Sequence, residues 1–102
     1  MKDTQSFNTE DLASVATFFK VFGDPTRLKI LYGLENGEMN VQEIANLAGV
    51  SQSAVSQHLK YLRIARLVSF RKDGKNVYYK LNDEHISRIL SLGAEHYLET
   101  QA

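Results

Sequence analysis

The chain has 102 residues, no cysteine, and twelve basic residues balanced by twelve acidic ones. This length predicts one domain with a thin core. The lack of cysteine excludes disulfide bonds, thiolate metal sites and cysteine nucleophiles. The apolar runs are too short to span a bilayer, and the polar first ten residues do not resemble a secretion signal. We therefore expect a cytoplasmic protein with no membrane contact.

The first half of the chain has helical periodicity. A first helix is predicted to start at an Asn8 or Thr9 cap and to end at Gly23, after a flexible arm over residues 1–8. A second helix opens at Pro25, because proline suits the first helical position, where its missing N–H leaves no hydrogen bond unmade.

A third and a fourth helix follow, separated by a tight turn. Asn40 and Glu43 have the spacing of a capping box and predict the start of the third helix. Gly49 suits a left-handed helix end, and Ser51 suits the cap of the next helix, "QSAVSQHLKYLRIA". The pattern of two helices joined by a short glycine-containing turn is typical of a helix-turn-helix.

Alternating apolar residues then replace the helical period. The segments "LVSFR" and "VYYKL" flank "KDGKN", in which Asp73-Gly74 is a hairpin turn signal. A last helix is predicted over residues 83–99. The expected fold is mainly α with a β-hairpin wing, a winged helix-turn-helix in a single domain over residues 1–102.

The charges are concentrated where this motif lies. Residues 51–82 hold seven basic residues and one acidic residue, a net charge of +6, while residues 1–50 and residues 83–102 each carry −3. Contacts with DNA phosphates need such a basic patch, although a solvated charged face has the same composition. The second helix of the motif enters the major groove. The predicted DNA contacts are Ser51, Gln52, Ser53, Ser56, Gln57, Lys60, Arg71, Lys72 and Lys75.

Three segments resemble the ArsR/SmtB family of metal-responsive bacterial repressors. They are "VFGDPTRLKILYGL", "VQEIANLAGVSQSAVSQHLKYLRIARLV" and "FRKDGKNVYYKLND", within a resemblance that runs from about Leu12 to Glu99. The resemblance implies a homodimeric repressor that binds a DNA operator as the apo protein and is released by an inducer. It also implies that the controlled gene often encodes a metal exporter.

The last helix matches one of the metal-site patterns of this family, D-x-H-x10-H-x2-[E/H]. The matching residues are Asp83, His85, His96 and Glu99, whereas the family's Cys-x-Cys site is absent. Two imidazoles and two carboxylates suit Zn(II) first and Co(II) or Ni(II) next.

One chain cannot close this site alone. His85 and His96 share a helix face but lie about 16 Å apart along the helix axis, whereas metal–nitrogen bonds are about 2 Å. Two antiparallel copies of the helix would instead form two equivalent four-ligand sites across a two-fold axis. The predicted dimer-interface residues are Leu12, Ile86, Ile89, Leu90, Gly93 and Tyr97.

Three alternatives stay open at this point. The first is a repressor of the same family that responds to a non-metal signal, or to none. The others are a zinc-dependent hydrolase and a zinc buffer. Four protein ligands leave no open position for a reacting water, so we expect no enzyme. His58 is expected to pack or hydrogen-bond within the domain rather than to bind metal.

Overall fold

The chain folds into five α-helices and a small sheet in a computed structural model that describes residues 3–101. The mainly helical fold with a β-hairpin that the sequence predicts is confirmed. The elements are α1 (Thr9–Phe22), α2 (Pro25–Leu34), β1 (Met39–Asn40), α3 (Val41–Ala48), α4 (Gln52–Ile64), β2 (Val68–Asp73), β3 (Asn76–Leu81) and α5 (Glu84–Thr100).

Polar caps set the starts of the helices, as predicted. The side chain of Asn40 accepts from the backbone N–H of Glu43, and the Glu43 carboxylate accepts from the backbone N–H of Asn40, each at 2.9 Å. Ser51 accepts from the N–H of Ala54 at 3.1 Å at the start of α4. Between these caps, Gly49 has a φ of 71°, the left-handed conformation that favours glycine. Local chemistry therefore sets the starts of α3 and α4 and the turn between them.

The segment before α1 contains a short 3₁₀-helix, Thr4–Ser6. Its cap is Asp3, whose carboxylate accepts from two backbone N–H groups. Met1 and Lys2, which belong to the predicted flexible arm over residues 1–8, lie outside the described residues. The flexibility of the arm stays a prediction.

The sheet is antiparallel in the order β1-β3-β2, so β3 is hydrogen-bonded on both sides. The sequence missed β1, a strand of two residues that is too short to show an alternating pattern. Asp73 pairs with Asn76, which places the two-residue turn at Gly74 and Lys75, one residue later than predicted. Gly74 has a φ of 63°, and a glycine first in the loop is typical of a type II′ hairpin turn.

The core lies between the helix-turn-helix, α2, the base of the hairpin and α5. Its fully buried side chains include Leu31 on α2, Ile44 on α3, Leu62 on α4 and Leu67 before β2. Gly33 lets α2 approach α3 closely, because a Cβ at this position would lie 2.0 Å from the Leu47 side chain. The helices therefore share one hydrophobic core with the base of the wing.

Two residues that the sequence assigned to a dimer interface belong to this core. Ile86 and Leu90 on α5 are only 4% and 2% exposed within a single chain. The backbone carbonyl of Leu90 also accepts a hydrogen bond from the Tyr32 hydroxyl at 2.7 Å. Their side chains leave almost no surface for a second subunit, so this part of the interface prediction is corrected.

Candidate nucleic-acid interface and metal-binding helix

The outer face of α4 carries the predicted DNA-reading side chains. The inner face buries Val55, Leu59 and Leu62, which fixes the rotation of the helix against the core. All six predicted contacts at the cap and along the outer face are exposed: Ser51, Gln52, Ser53, Ser56, Gln57 and Lys60. Short hydroxyl and amide side chains of this kind suit base edges and phosphates in the major groove.

An amide network joins the first turn of α4 to α3. The Gln52 side-chain nitrogen donates to Oε1 of Gln42. Gln42 in turn donates from Nε2 to Oδ1 of Asn46, one turn further along α3, at 3.1 Å. The sequence analysis missed Gln42 and Asn46. Their spacing of four residues on an exposed helix face was the available signal.

The hairpin presents Lys72 and Lys75 to solvent at its tip. Neither lysine forms an ion pair within residues 3–101. An exposed lysine with no internal ion pair can contact a DNA phosphate without breaking an internal contact. These two positions therefore fit the predicted phosphate contacts.

Arg71, the third predicted wing contact, is already bound within the chain. Its Nε lies 2.9 Å from Oε2 of Glu38, and its second terminal nitrogen lies 2.9 Å from Oε1 of the same carboxylate. Its guanidinium also lies 4.8 Å from the centre of the Tyr78 ring, and Asp73 is 3.7 Å away. The hydrogen bond and charge of Arg71 lower the pKa of Glu38, and Glu38 in return raises the pKa of Arg71. Both groups therefore stay charged near neutral pH.

Asp83 and His85 converge at the start of α5. Asp83 is the N-cap, with an extended φ of −162°, and its Oδ1 accepts from the backbone N–H of His85 at 2.9 Å. The same oxygen lies 3.2 Å from Nδ1 of the His85 ring. Burial acts to raise the pKa of Asp83, but the His85 N–H, the His85 ring and Asn82 outweigh it and hold the pKa below its usual value. A carboxylate and an imidazole thus lie side by side at the start of α5.

His96 and Glu99 lie three turns further along the same continuous helix and are exposed. Leu92 stands between the two histidines, seven residues after His85 and four before His96, so it shares their face. It is 67% exposed. Residues 3–101 of a single chain gather no group of three or more metal-ligand side chains. The two pairs of predicted ligands therefore lie at opposite ends of α5 and do not meet within one chain.

Other apolar side chains of α1 and α5 are also exposed. Leu12 and Tyr97, both predicted interface residues, are 58% and 61% exposed, and a Cβ added to Gly93 would meet open space. Ile89 is partly buried against the core. The sequence analysis missed three further exposed apolar residues of α1 and α5, Phe19, Leu92 and Leu98.

His58 lies apart from the α5 ligands. Its Nδ1 is buried within the domain and lies 3.9 Å from Oδ2 of Asp24, the cap of α2. This placement agrees with the expectation that His58 packs inside the domain.

None of the helices in residues 3–101 is long and apolar enough to cross a membrane.

Comparison with known proteins agrees with this arrangement. The model of the bacterial regulatory protein arsR family matches residues 24–69, which span α2 to the start of the wing. The cadmium resistance transcriptional regulatory protein CadC homologue of Staphylococcus aureus is 38% identical over 99 residues, which cover 96% of this chain and 79% of the relative. The chain belongs to the ArsR family. The resemblance seen in the sequence is confirmed.

Two further ArsR-family matches bear on length and assembly. The transcriptional repressor SmtB homologue of Synechocystis is 41% identical over 84% of this chain, which spans 65% of that relative. A solution structure of Mb0332 from Mycobacterium bovis, described as a homodimeric winged helix-turn-helix DNA-binding domain, matches with a TM-score of 0.84 at 29% identity. It covers 97% of this chain and 92% of that one. These relatives are transcriptional regulators, and the prediction that the chain is not an enzyme is confirmed.

Proposed function

We propose that this ArsR-family chain is a cytoplasmic homodimeric repressor whose hold on DNA is weakened by Zn(II), with Co(II) or Ni(II) as substitutes. The apo dimer binds an inverted-repeat operator, because a two-fold protein matches a two-fold site. Metal binding at the dimer interface releases the operator and permits transcription of a metal efflux gene. The matched part of this chain spans 65% of the length of one relative and 79% of the other, so both relatives are longer than this chain.

The DNA-binding half of the proposal is supported by the exposed face of α4 and the wing. Five side chains at the start of α4 contact base edges or phosphates in the major groove: Ser51, Gln52, Ser53, Ser56 and Gln57. Lys60, with Lys72, Lys75 and Arg71 of the wing, contacts phosphates. The basic segment that contains these residues supplies the charge for such contacts.

The observation that carries the metal half is the arrangement of α5. Asp83 and His85 already point at each other, while His96 and Glu99 lie about 16 Å away on the same face of one unbroken helix. Each pair lacks the other two ligands of a tetrahedral zinc site. Antiparallel α5 helices would complete both sites, with His96 and Glu99 supplied by the second subunit.

The metal class follows from the ligands rather than from the relatives. One relative's name refers to cadmium resistance. Cadmium favours thiolate sulfur, and this chain has no cysteine. Imidazole and carboxylate ligands fit zinc and other borderline ions instead.

The proposed control works through the distance between the two α4 helices. When bound, zinc would hold the two α5 helices in one relative position. Tyr32 links α5 to α2 through its hydroxyl bond to the Leu90 carbonyl, and α2 packs against α3 and α4. A change in the α5 pairing would therefore shift the reading helices relative to successive major grooves. A coupling free energy of about 1–3 kcal/mol is enough for a clear response.

The first test is a Co(II) titration followed by visible absorption, because tetrahedral cobalt has intense bands. We expect one ion per chain, displaced by Zn(II), and the loss of these bands in His96→Ala. The matched control His58→Ala should keep the cobalt spectrum, since this histidine lies apart from α5. Persistence of the full spectrum in His96→Ala would contradict the assigned ligands.

A DNA-release assay separates the proposal from its main alternative. The duplex is one that the apo protein selects from a random pool, and its binding is followed by fluorescence anisotropy with and without Zn(II). We expect His96→Ala to bind this duplex as well as the wild type and to ignore zinc. If zinc leaves the wild-type affinity unchanged, the chain is instead a repressor that senses another signal.

A further inference from the structure

The amide network between α3 and α4 is a feature that the DNA-binding proposal does not by itself require. Gln42, Asn46 and Gln52 are all exposed, and two hydrogen bonds connect them in one direction, from Gln52 through Gln42 to Asn46. Gln52 is the first residue of α4, the position from which a recognition helix contacts bases. Gln42 thus holds a side chain that faces the expected DNA surface.

This network contributes little to the stability of the fold. Fixing two long glutamine side chains costs rotamer entropy. An exposed amide–amide hydrogen bond is worth about as much free energy as the hydrogen bonds to water that it replaces. None of the three side chains is part of the buried core. The benefit must lie in orienting Gln52 before DNA arrives, since a side chain that is already ordered loses less entropy on binding.

The direction of the hydrogen bonds decides which base Gln52 can read. One Nε2 hydrogen of Gln52 is used by Gln42, which leaves the second Nε2 hydrogen and Oε1 of Gln52 for DNA. In the major groove, adenine offers an acceptor at N7 and a donor at N6, which match this donor and acceptor pair. Guanine offers two acceptors instead, at N7 and O6.

We propose that Gln42, supported by Asn46, is a positioning residue that fixes Gln52 to read an adenine in each half of the operator. The inference rests on the proposed DNA-binding function and adds its sequence specificity. Gln42 itself makes no base contact in this scheme. Its effect on DNA binding therefore passes entirely through Gln52.

The test is selection from a pool of random DNA duplexes by the apo protein, followed by sequencing and by anisotropy titration of the selected duplex. We expect one adenine position to be lost from the preference of Gln52→Ala and of Gln42→Met. Affinity for the selected duplex should fall about a hundredfold in each, because the dimer loses one bidentate base contact of about tenfold in each half of the operator. The double variant should bind no more weakly than Gln52→Ala alone.

Two further variants make the test specific. Gln42→Glu keeps an acceptor for Gln52, so the adenine preference should survive. The added negative charge should lower the affinity for all duplexes equally. Gln5→Met removes an exposed amide far along the chain from α3 and should change nothing. Circular dichroism before and after heating checks that each variant is folded.

The outcomes separate this inference from the proposed function. If the wild type selects no sequence, the DNA-binding proposal fails and the inference falls with it. If the wild type selects an operator and Gln52→Ala keeps the same adenine preference as the wild type, only the inference is overturned. A third result is that Gln42→Met weakens the affinity for every duplex equally, with a loss that adds to that of Gln52→Ala. This result would show that Gln42 contacts the DNA backbone directly, and it would also overturn the inference.

Discussion

Arg71 cannot use the same N–H groups for Glu38 and for a DNA phosphate. In the free chain, the carboxylate of Glu38 occupies Nε and one terminal nitrogen of the guanidinium. Both groups are exposed, so the ion pair is screened by water and salt and is worth little for stability. Its larger effect is on DNA binding, because Glu38 also places a negative charge beside the basic wing.

We predict that Glu38→Gln raises operator affinity by about two- to fivefold at low salt, within the range of an exposed ion pair. The neutral amide releases the Arg71 guanidinium for a phosphate and removes a repulsive charge. Anisotropy titration at two salt concentrations measures both effects. Glu35→Gln, which removes a nearby acid without an ion pair to the wing, is the matched control. Weaker binding of Glu38→Gln would mean that the carboxylate positions Arg71 productively.

Some single-residue contacts could be predicted from local sequence patterns, and others could not. The caps at Asn8, Asp24, Asn40 and Ser51 were predictable, because each depends on a partner three residues away. The ion pair between Glu38 and Arg71 joins residues 33 positions apart. No local pattern encodes such a contact, so a wing arginine could only be assigned to DNA.

At the scale of elements, α5 divides its apolar residues between two tasks. Ile86 and Leu90 fill the core of their own chain, whereas Leu92 lies exposed between the two histidines. The sequence predicted an apolar helix but could not separate these sets, because the rotation of α5 against the core depends on contacts with distant elements. Leu92 lies on the same face as the proposed metal ligands, so metal binding in the proposed dimer would depend on the same helix contact as dimer formation.

We predict that Leu92→Lys weakens the proposed dimer at least tenfold and abolishes stoichiometric Co(II) binding, because a buried interfacial leucine dominates such contacts and lysine brings charge into them. Sedimentation equilibrium measures the dimer, and cobalt absorption measures the site. Ile64→Lys replaces an isoleucine of α4 that is 71% exposed and should change neither. A dimeric Leu92→Lys variant with a normal cobalt spectrum would remove this face from the interface.

For the whole molecule, a net charge of zero conceals a separation of charge. The segment over residues 51–82 is cationic and both flanking segments are acidic. The proposed dimer would present two such cationic surfaces to DNA and keep acidic segments elsewhere. The sequence revealed this polarity because the basic residues are contiguous in the chain and the fold keeps them on the helix-turn-helix and wing.

We predict that Lys75→Ala lowers operator affinity and makes the slope of log K against log salt concentration shallower by about two. Each phosphate contact contributes about 0.9 to this slope, and a dimer carries the lysine twice. Titrations between low and physiological salt give the slope. Lys29→Ala, on α2, is the matched control. An unchanged slope for Lys75→Ala would place the wing tip away from the phosphates.

The strand β1, which the sequence analysis missed, connects the wing to the helix-turn-helix. Asn40 pairs with Tyr78 in the sheet and, at the same time, caps α3. A tilt of the wing at β1 would therefore be transmitted to α3, and from α3 to α4 through their packed side chains. We therefore expect the helix-turn-helix and the wing to move together. A hinge that serves regulation is then expected outside this unit, where α1 and α5 would meet the second subunit of the proposed dimer.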